Sequence, residues 1–221
     1  MAKKIYLSPS NQNGNLYKTG NTNEMEQCNK IAAAAEKHLK RNGYSVKRAP
    51  KGQDMNKSIS ESNAWNADLH IPIHTNAGGG EGTVVFVYSK ASANMKYATS
   101  IYNAVQAISP GKTDYGVREY SELAELNGTT AIGVYVEVDF HDDKEIAAWI
   151  IKHTDDIGEA IAKGVCKADG KTYKPEPTSE PASGTIYRVQ VGAYSKKANA
   201  ETMASKLKKD GYDAIIVTVN K

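Results

Sequence analysis

Apolar residues in this chain fall into short β-rich runs that alternate with longer stretches of helical period. Runs at residues 4–7, 44–48, 68–74, 83–88 and 131–140 are short and rich in β-branched and aromatic residues, as strands are. Stretches at 23–42, 58–67, 93–108, 144–153 and 155–168 repeat apolar positions at three-to-four spacing, as amphipathic helices do. Such alternation predicts an α/β layer fold, an open and mostly parallel sheet flanked by helices. The first helix is the most legible. Asn23 is a natural N-cap, Glu26 follows at capping-box spacing, and Met25, Cys28, Ile31, Ala32, Ala35 and Leu39 form its apolar stripe before Gly43 stops it. Glu24 lies four residues before Cys28, so this first-turn acid falls on the stripe and faces the edge of the core.

Residues 171–184 break the pattern, with three of the seven prolines and almost no apolar residue. They read as a semi-extended linker between a body of residues 1–170 and a tail of residues 185–221. In the tail Val189, Val191 and Ala193 alternate as a strand does. Met203 and Leu207 mark a helix stopped by Gly211, and residues 214–219 supply a second strand. The tail is therefore expected to be a small β-α-β module.

Composition narrows the classes. The chain has 221 residues and a net charge of +3, too weak to argue for a nucleic-acid groove. No apolar run approaches membrane-spanning length. Lys3 and Lys4 are followed by a strand rather than an apolar leader segment, so the protein is expected to be made in the cytoplasm without a signal peptide. Cys28 and Cys166 sit in helical patterns and read as small buried apolar residues.

Two segments carry candidate chemistry. His74 closes a strand just before Asn76 and the flexible Gly78-Gly79-Gly80, and sites in open α/β sheets form outside the carboxyl ends of strands. His70 lies four residues earlier, about 13 Å away along an extended strand, and is read as structural. The second segment is Val134-Tyr-Val-Glu137-Val-Asp139-Phe-His141. Strand parity puts Glu137, Asp139 and His141 on one side, and a carboxylate in so apolar a strand is costly to bury unless paired or near a cation. If their elements are neighbours, Glu24, His74, Glu137 and His141 converge. Carboxylate and imidazole ligands with one open position are the usual catalytic zinc set, and an unligated Glu would then serve as general base. No Gly-x-Ser-x-Gly elbow is present.

These residues resemble the zinc-dependent N-acetylmuramoyl-L-alanine amidases of autolysins, sporulation lysins and phage endolysins. The likeness is carried by Ile5-Tyr-Leu-Ser-Pro-Ser, Thr22-Asn-Glu24, Ile73-His74-Thr-Asn76 and Val136-Glu137-Val-Asp-Phe140, and it spans most of residues 3–168. It implies one zinc at the strand ends with Glu24 and His74 as ligands, Glu137 as the catalytic glutamate, and peptidoglycan as substrate. The bond cut would join the lactyl group of N-acetylmuramic acid to the first L-alanine of the stem peptide, and the enzyme would act on the wall after release. One departure stands out. The family's first ligand is a His in an Asp-Pro-Gly-His-like turn, but here the turn reads Ser8-Pro9-Ser10-Asn11-Gln12, and no His precedes His38. His141 is expected to fill the vacant position, with Asn11 and Asn76 left to bind substrate. The tail resembles half of a sporulation-related (SPOR) repeat domain that binds the wall. A half-domain with free strand edges is expected to pair two copies, giving a homodimer. The alternatives are a wall-binding protein with a degenerate amidase fold and a zinc endopeptidase acting within the stem peptide.

Overall fold

A computed structural model of the chain describes residues 2–176 and 189–219. The body runs β1 (Lys4–Pro9), α1 (Glu24–Arg41), β2 (Ser45–Arg48), α2 (Met55–Ala64), β3 (Leu69–Asn76), β4 (Val84–Val87), α3 (Ser92–Gln106), β5 (Val117–Glu119), α4 (Ala124–Asn127), β6 (Ile132–Gly133), β7 (Tyr135–Phe140), α5 (Lys144–Lys152) and α6 (Thr154–Ala168). The strands form one sheet in the order β2-β1-β3-β7-β4-β5, with β6 paired to β3. Every neighbouring pair is parallel except β4 with β7. The expected mostly parallel sheet is therefore a mixed one with a single antiparallel pair. Its parallel centre brings the carboxyl ends of β1, β3 and β7 to one edge, where the candidate residues lie.

The central strands are buried on both faces, which explains their near-continuous apolar runs. Ile5, Leu7, Ile71, Ile73, Val136 and Val138 belong to the main core, together with Ile31, Leu39, Ile101, Ile157 and Ile161 from the helices. Burying each such side chain contributes roughly 1.5–3 kcal/mol. The opposite face holds a smaller cluster of Tyr6, Ala49 and Ala67. α6 packs against α1 at Gly158, where an added Cβ would lie 2.6 Å from the backbone nitrogen of Ala35. Only glycine permits that approach. Cys28 and Cys166 are free and buried, as their apolar positions predict.

At the start of α1 the Asn23 side chain accepts from the Glu26 backbone N–H at 2.9 Å. The capping box is not closed in return, because the Glu26 carboxylate accepts from Lys51 Nζ at 2.9 Å. The body also extends past residue 170, since one compact unit spans Met1–Glu176 and the other Pro177–Lys221. Lys174 N–H donates to Asn42 Oδ1 at 2.7 Å, and Lys37 pairs with Glu176 at 2.7 Å. Residues 171–176, read as linker, thus lie on the body, and residues 177–184 of that reading fall outside the described residues.

In the tail the expected helix is present as α7 (Lys197–Lys209). The two expected strands are not: residues 189–194 and 214–219 carry no strand pairing among the described residues. Their apolar side chains stay exposed, Val189 at 88% and Val219 at 84%. A strand is held by its neighbours, and a segment of this size supplies too few of them to offset its own ordering entropy. No helix among the described residues is long and apolar enough to cross a membrane.

Candidate active site

The first turn of α1 carries Glu24 to the ends of β1 and β3. Glu24 N–H donates to Asn15 O at 2.9 Å, which ties the helix start to the loop after β1. Its carboxylate is buried and has two close partners. Oε1 lies 2.8 Å from His74 Nδ1, and Oε2 accepts from Asn15 Nδ2 at 2.6 Å. Burial alone would raise the Glu24 pKa, but the hydrogen bond and charge of His74, with help from Asn15 and Ser10, hold it below the ordinary value.

His74 stands near the end of β3, one Cα partner across from Glu137 on β7. Its ring stacks on Tyr135 at 4.5 Å between centroids. On the far side Nε2 faces Glu125 Oε2 at 3.8 Å. Burial disfavours the charged imidazole, yet the surrounding carboxylates Glu125, Glu24 and Glu137 outweigh it and push the His74 pKa up to about 9.

Glu137 behaves differently. Burial pushes its carboxyl up to about 7, the His74 charge working against that rise and the Glu24 charge adding to it. Its Oε2 is buried with no hydrogen-bond partner. A buried carboxylate that titrates near neutrality and keeps a free oxygen is what a general base requires.

Asp139, two residues on, is committed elsewhere. It accepts from Gly82 N–H at 2.7 Å, from Gly111 N–H at 3.2 Å and from the Ser109 hydroxyl, so it ties two loops together beside β7. The structure does not bring His141 to the Glu24–His74 group. His141 Nδ1 lies 2.9 Å from Thr75 Oγ1 and 3.0 Å from Thr75 O, and its ring stacks on Tyr17 at 5.0 Å. Among the described residues no group of three or more His, Cys, Asp or Glu is arranged to hold a metal.

The two asparagines also part company. Asn11 is exposed, donates to Gln53 O at 3.1 Å, and lines a cavity of about 120 Å³ with Ser10, Gln53, His74, Glu125 and Tyr135. Asn76 turns to its own backbone, accepting from Ala77 N–H at 2.8 Å. The sequence reading missed Glu125. It sits on α4, is 5% exposed, lies 3.2 Å from His70 Nε2, and is held down at about 2 against its burial by His70 and His74. It also missed Asn15 and Tyr135. Glu125 could be found only by asking why an acid interrupts the apolar positions Leu123, Ala124 and Leu126.

Comparison with known proteins places this arrangement. The N-acetylmuramoyl-L-alanine amidase family profile matches residues 9–167, and a SPOR domain profile matches residues 183–221. A sporulation-specific N-acetylmuramoyl-L-alanine amidase of Bacillus subtilis (strain 168) is 25% identical over 222 residues, covering 97% of this chain and 84% of the relative. The N-acetylmuramoyl-L-alanine amidase CwlM of Bacillus licheniformis is 22% identical over 221 residues, with the same coverage. Among solved structures, the amidase of Clostridium difficile 630 superposes with a TM-score of 0.68 at 22% identity, covering 76% of this chain and 97% of that one. AmiC2 of Nostoc punctiforme superposes with a TM-score of 0.68 at 16% identity, covering 76% of this chain and 98% of that one, and supports the fold. The chain belongs to the N-acetylmuramoyl-L-alanine amidase family, a peptidoglycan amidase body followed by a SPOR domain.

Proposed function

We propose that this amidase works with a zinc ion held by Glu24 and His74 and with Glu137 as its base. The observation that carries the reading is the convergence of Glu24 Oε1 and His74 Nδ1 at 2.8 Å beside a buried Glu137 oxygen that nothing satisfies. Two buried carboxylates, Glu24 and Glu125, flank His74, and the half-buried Glu137 stands across from it on β7 with one oxygen unsatisfied, a concentration of acid that supports a cation there. When bound, zinc supplies a Lewis acid that polarises the scissile carbonyl. The other work falls to the chain. Glu137 takes a proton from the attacking water and returns it to the leaving amine of L-alanine. Asn11 binds substrate from the cavity rim, and Asn76 holds the turn after β3. His141 joins the ligands only if its ring leaves Thr75.

The test is digestion of purified peptidoglycan with and without a chelator. The account expects stem peptides with a free L-alanine amino terminus, lost on chelation and regained with zinc. Cleavage within the stem peptide would favour the endopeptidase reading instead. Binding without cleavage would favour the degenerate one.

For the tail, exposed Val189, Val191, Ile215 and Val219 on two unpaired segments support pairing between two copies of the chain. Two such halves would together supply four strands and two helices. Light scattering of the intact chain against one ending at Glu176 tests this. A dimer that becomes a monomer on truncation is expected, and an intact monomer would refute it.

A further inference from the structure

We propose that the row Tyr135, Phe86 and Arg118 is a subsite for the acidic stem peptide of peptidoglycan, running out of the active site along an uncovered face of the sheet. The inference rests on the reading that the reaction takes place beside His74 and Glu137. The two faces of the sheet differ. Val85, Val87, Val117 and Val136 belong to the main core, where α3 packs against β4 and β5. Their neighbours along each strand point the other way. Cross-strand register sets His74 beside Glu137, Tyr135 beside Phe86, and Phe86 beside Arg118, so these residues share the face that carries the site. On that face α2 packs against β1 and α4. The strip beyond Tyr135 stays within reach of solvent: Phe86 is half-buried, Arg118 is exposed, and Tyr120 is 46% exposed.

The row is continuous with the catalytic groove. His74 and Tyr135 line the same cavity and stack at 4.5 Å. Phe86 meets Tyr135 edge-on at 6.3 Å, and Tyr120 meets Phe86 at 5.8 Å. Arg118 ends the row with a positive charge. Its Nε donates to Tyr115 O at 3.3 Å, and its guanidinium lies over the Tyr115 ring at 5.1 Å. Those contacts hold the side chain while its two terminal nitrogens find no partner among the described residues. A guanidinium offers such a pair of nitrogens to a carboxylate as a fork. The adjacent acid, Glu119, stands in register with Val87 on the other face and accepts from Lys90 N–H at 3.0 Å. Distance selects which part of the substrate arrives there. At roughly 4.8 Å per strand, Arg118 lies two strands from β7 and three from β3, roughly 10 and 14 Å away. An extended peptide gains about 3.3–3.6 Å per residue, so a stem whose first amide is cut beside Glu137 brings its third or fourth residue to Arg118. Stem peptides carry free carboxylates and the N-acetylated sugars of the glycan do not, so charge selects the peptide. Tyr135 and Phe86 supply the apolar floor between.

The experiment compares the full chain with Arg118→Ala, Arg118→Lys and Phe86→Leu on soluble substrates. These are a muramoyl tetrapeptide with free carboxylates, the same compound amidated at its third and fourth residues, and a muramoyl dipeptide too short to reach Arg118. Binding of the corresponding free stem peptides is read by titration calorimetry, alongside KM and kcat. Arg118→Ala is expected to weaken binding of the free tetrapeptide and raise its KM about 5–20-fold with kcat little changed. Amidation should cost the wild type a similar factor and cost Arg118→Ala nothing more. Arg118→Lys should recover part of the loss, and the dipeptide should not tell the Arg118 variants from wild type. Phe86→Leu should weaken both tetrapeptides. Equal affinity of wild type and Arg118→Ala for the free tetrapeptide overturns the inference, as does a loss that persists on the amidated compound or the dipeptide. Binding of glycan strands stripped of stems that disappears in Phe86→Leu also overturns it, since the row would then be a sugar site. A wild-type chain that binds the tetrapeptide through Arg118 but frees no L-alanine amino terminus removes the catalytic reading and leaves the subsite standing, so each can fail without the other.

Discussion

Glu137→Gln should separate stability from catalysis in one residue. The fold holds the Glu137 carboxyl at about 7 against an ordinary value of 4.5, mainly through burial. Because the folded pKa is raised, the protonated form is favoured by folding. Below pH 4.5 the folded and unfolded chains are both protonated and no penalty exists. Between 4.5 and about 7 the unfolded chain ionises first, and the penalty grows to its full value above pH 7. At about 1.4 kcal/mol per pH unit this amounts to about 3 kcal/mol, an upper bound for a site that relaxes. Gln copies the protonated form. Metal-free Glu137→Gln should therefore match wild type in stability near pH 4.5 and exceed it by up to about 3 kcal/mol at pH 8. For a body of this size that is a rise of several degrees in Tm. The same substitution should reduce wall hydrolysis by at least about 100-fold. Chelator-treated protein followed by circular dichroism at several pH values, with turbidity clearing of purified walls alongside, reads both effects. A stability difference independent of pH, or a Glu137→Gln enzyme with near-normal activity, would refute the reasoning.

Glu24→Ala and His74→Ala should each abolish high-affinity zinc uptake, measured by metal analysis after dialysis, because each removes one of two converging donors. His141→Ala should retain zinc but lower Tm, since it deletes the Thr75 hydrogen bonds and the Tyr17 stack. Loss of zinc in that variant would place His141 among the ligands after all. Gly158→Val should destabilise the body by roughly 1–3 kcal/mol in urea unfolding, because its side chain meets the α1 backbone.

The long elements were legible because their periods are strong. Eighteen residues of α1 repeat an apolar stripe four or five times, and that stripe also placed Glu24 at the core edge. β5 and α4 were not legible, since three or four residues give no period to read. Glu125 was hidden with α4. The Glu24–His74 contact followed from two separate local patterns that the parallel sheet then joined. His141 was expected beside them from strand parity, but its ring turns to Thr75 and Tyr17, because parity reaches only as far as the strand. β7 ends at Phe140, and the β3–β7 register shifts between His74 and Asn76. A slip of one residue changes the face a side chain points to. The tail strands were read from alternation alone, which shows what a segment would bury and not whether a partner is there to bury it.

The central claim is that this chain cuts the lactyl–L-alanine amide with Glu137 acting beside a zinc held by Glu24 and His74. The most direct measurement is mass spectrometry of peptidoglycan digested by the full chain, before and after chelation and with zinc restored. The account predicts intact stem peptides beginning with free L-alanine, glycan strands carrying free lactyl carboxylates, and full loss and recovery with the metal. New reducing ends, cuts inside the stem peptide, or hydrolysis indifferent to the chelator would contradict it.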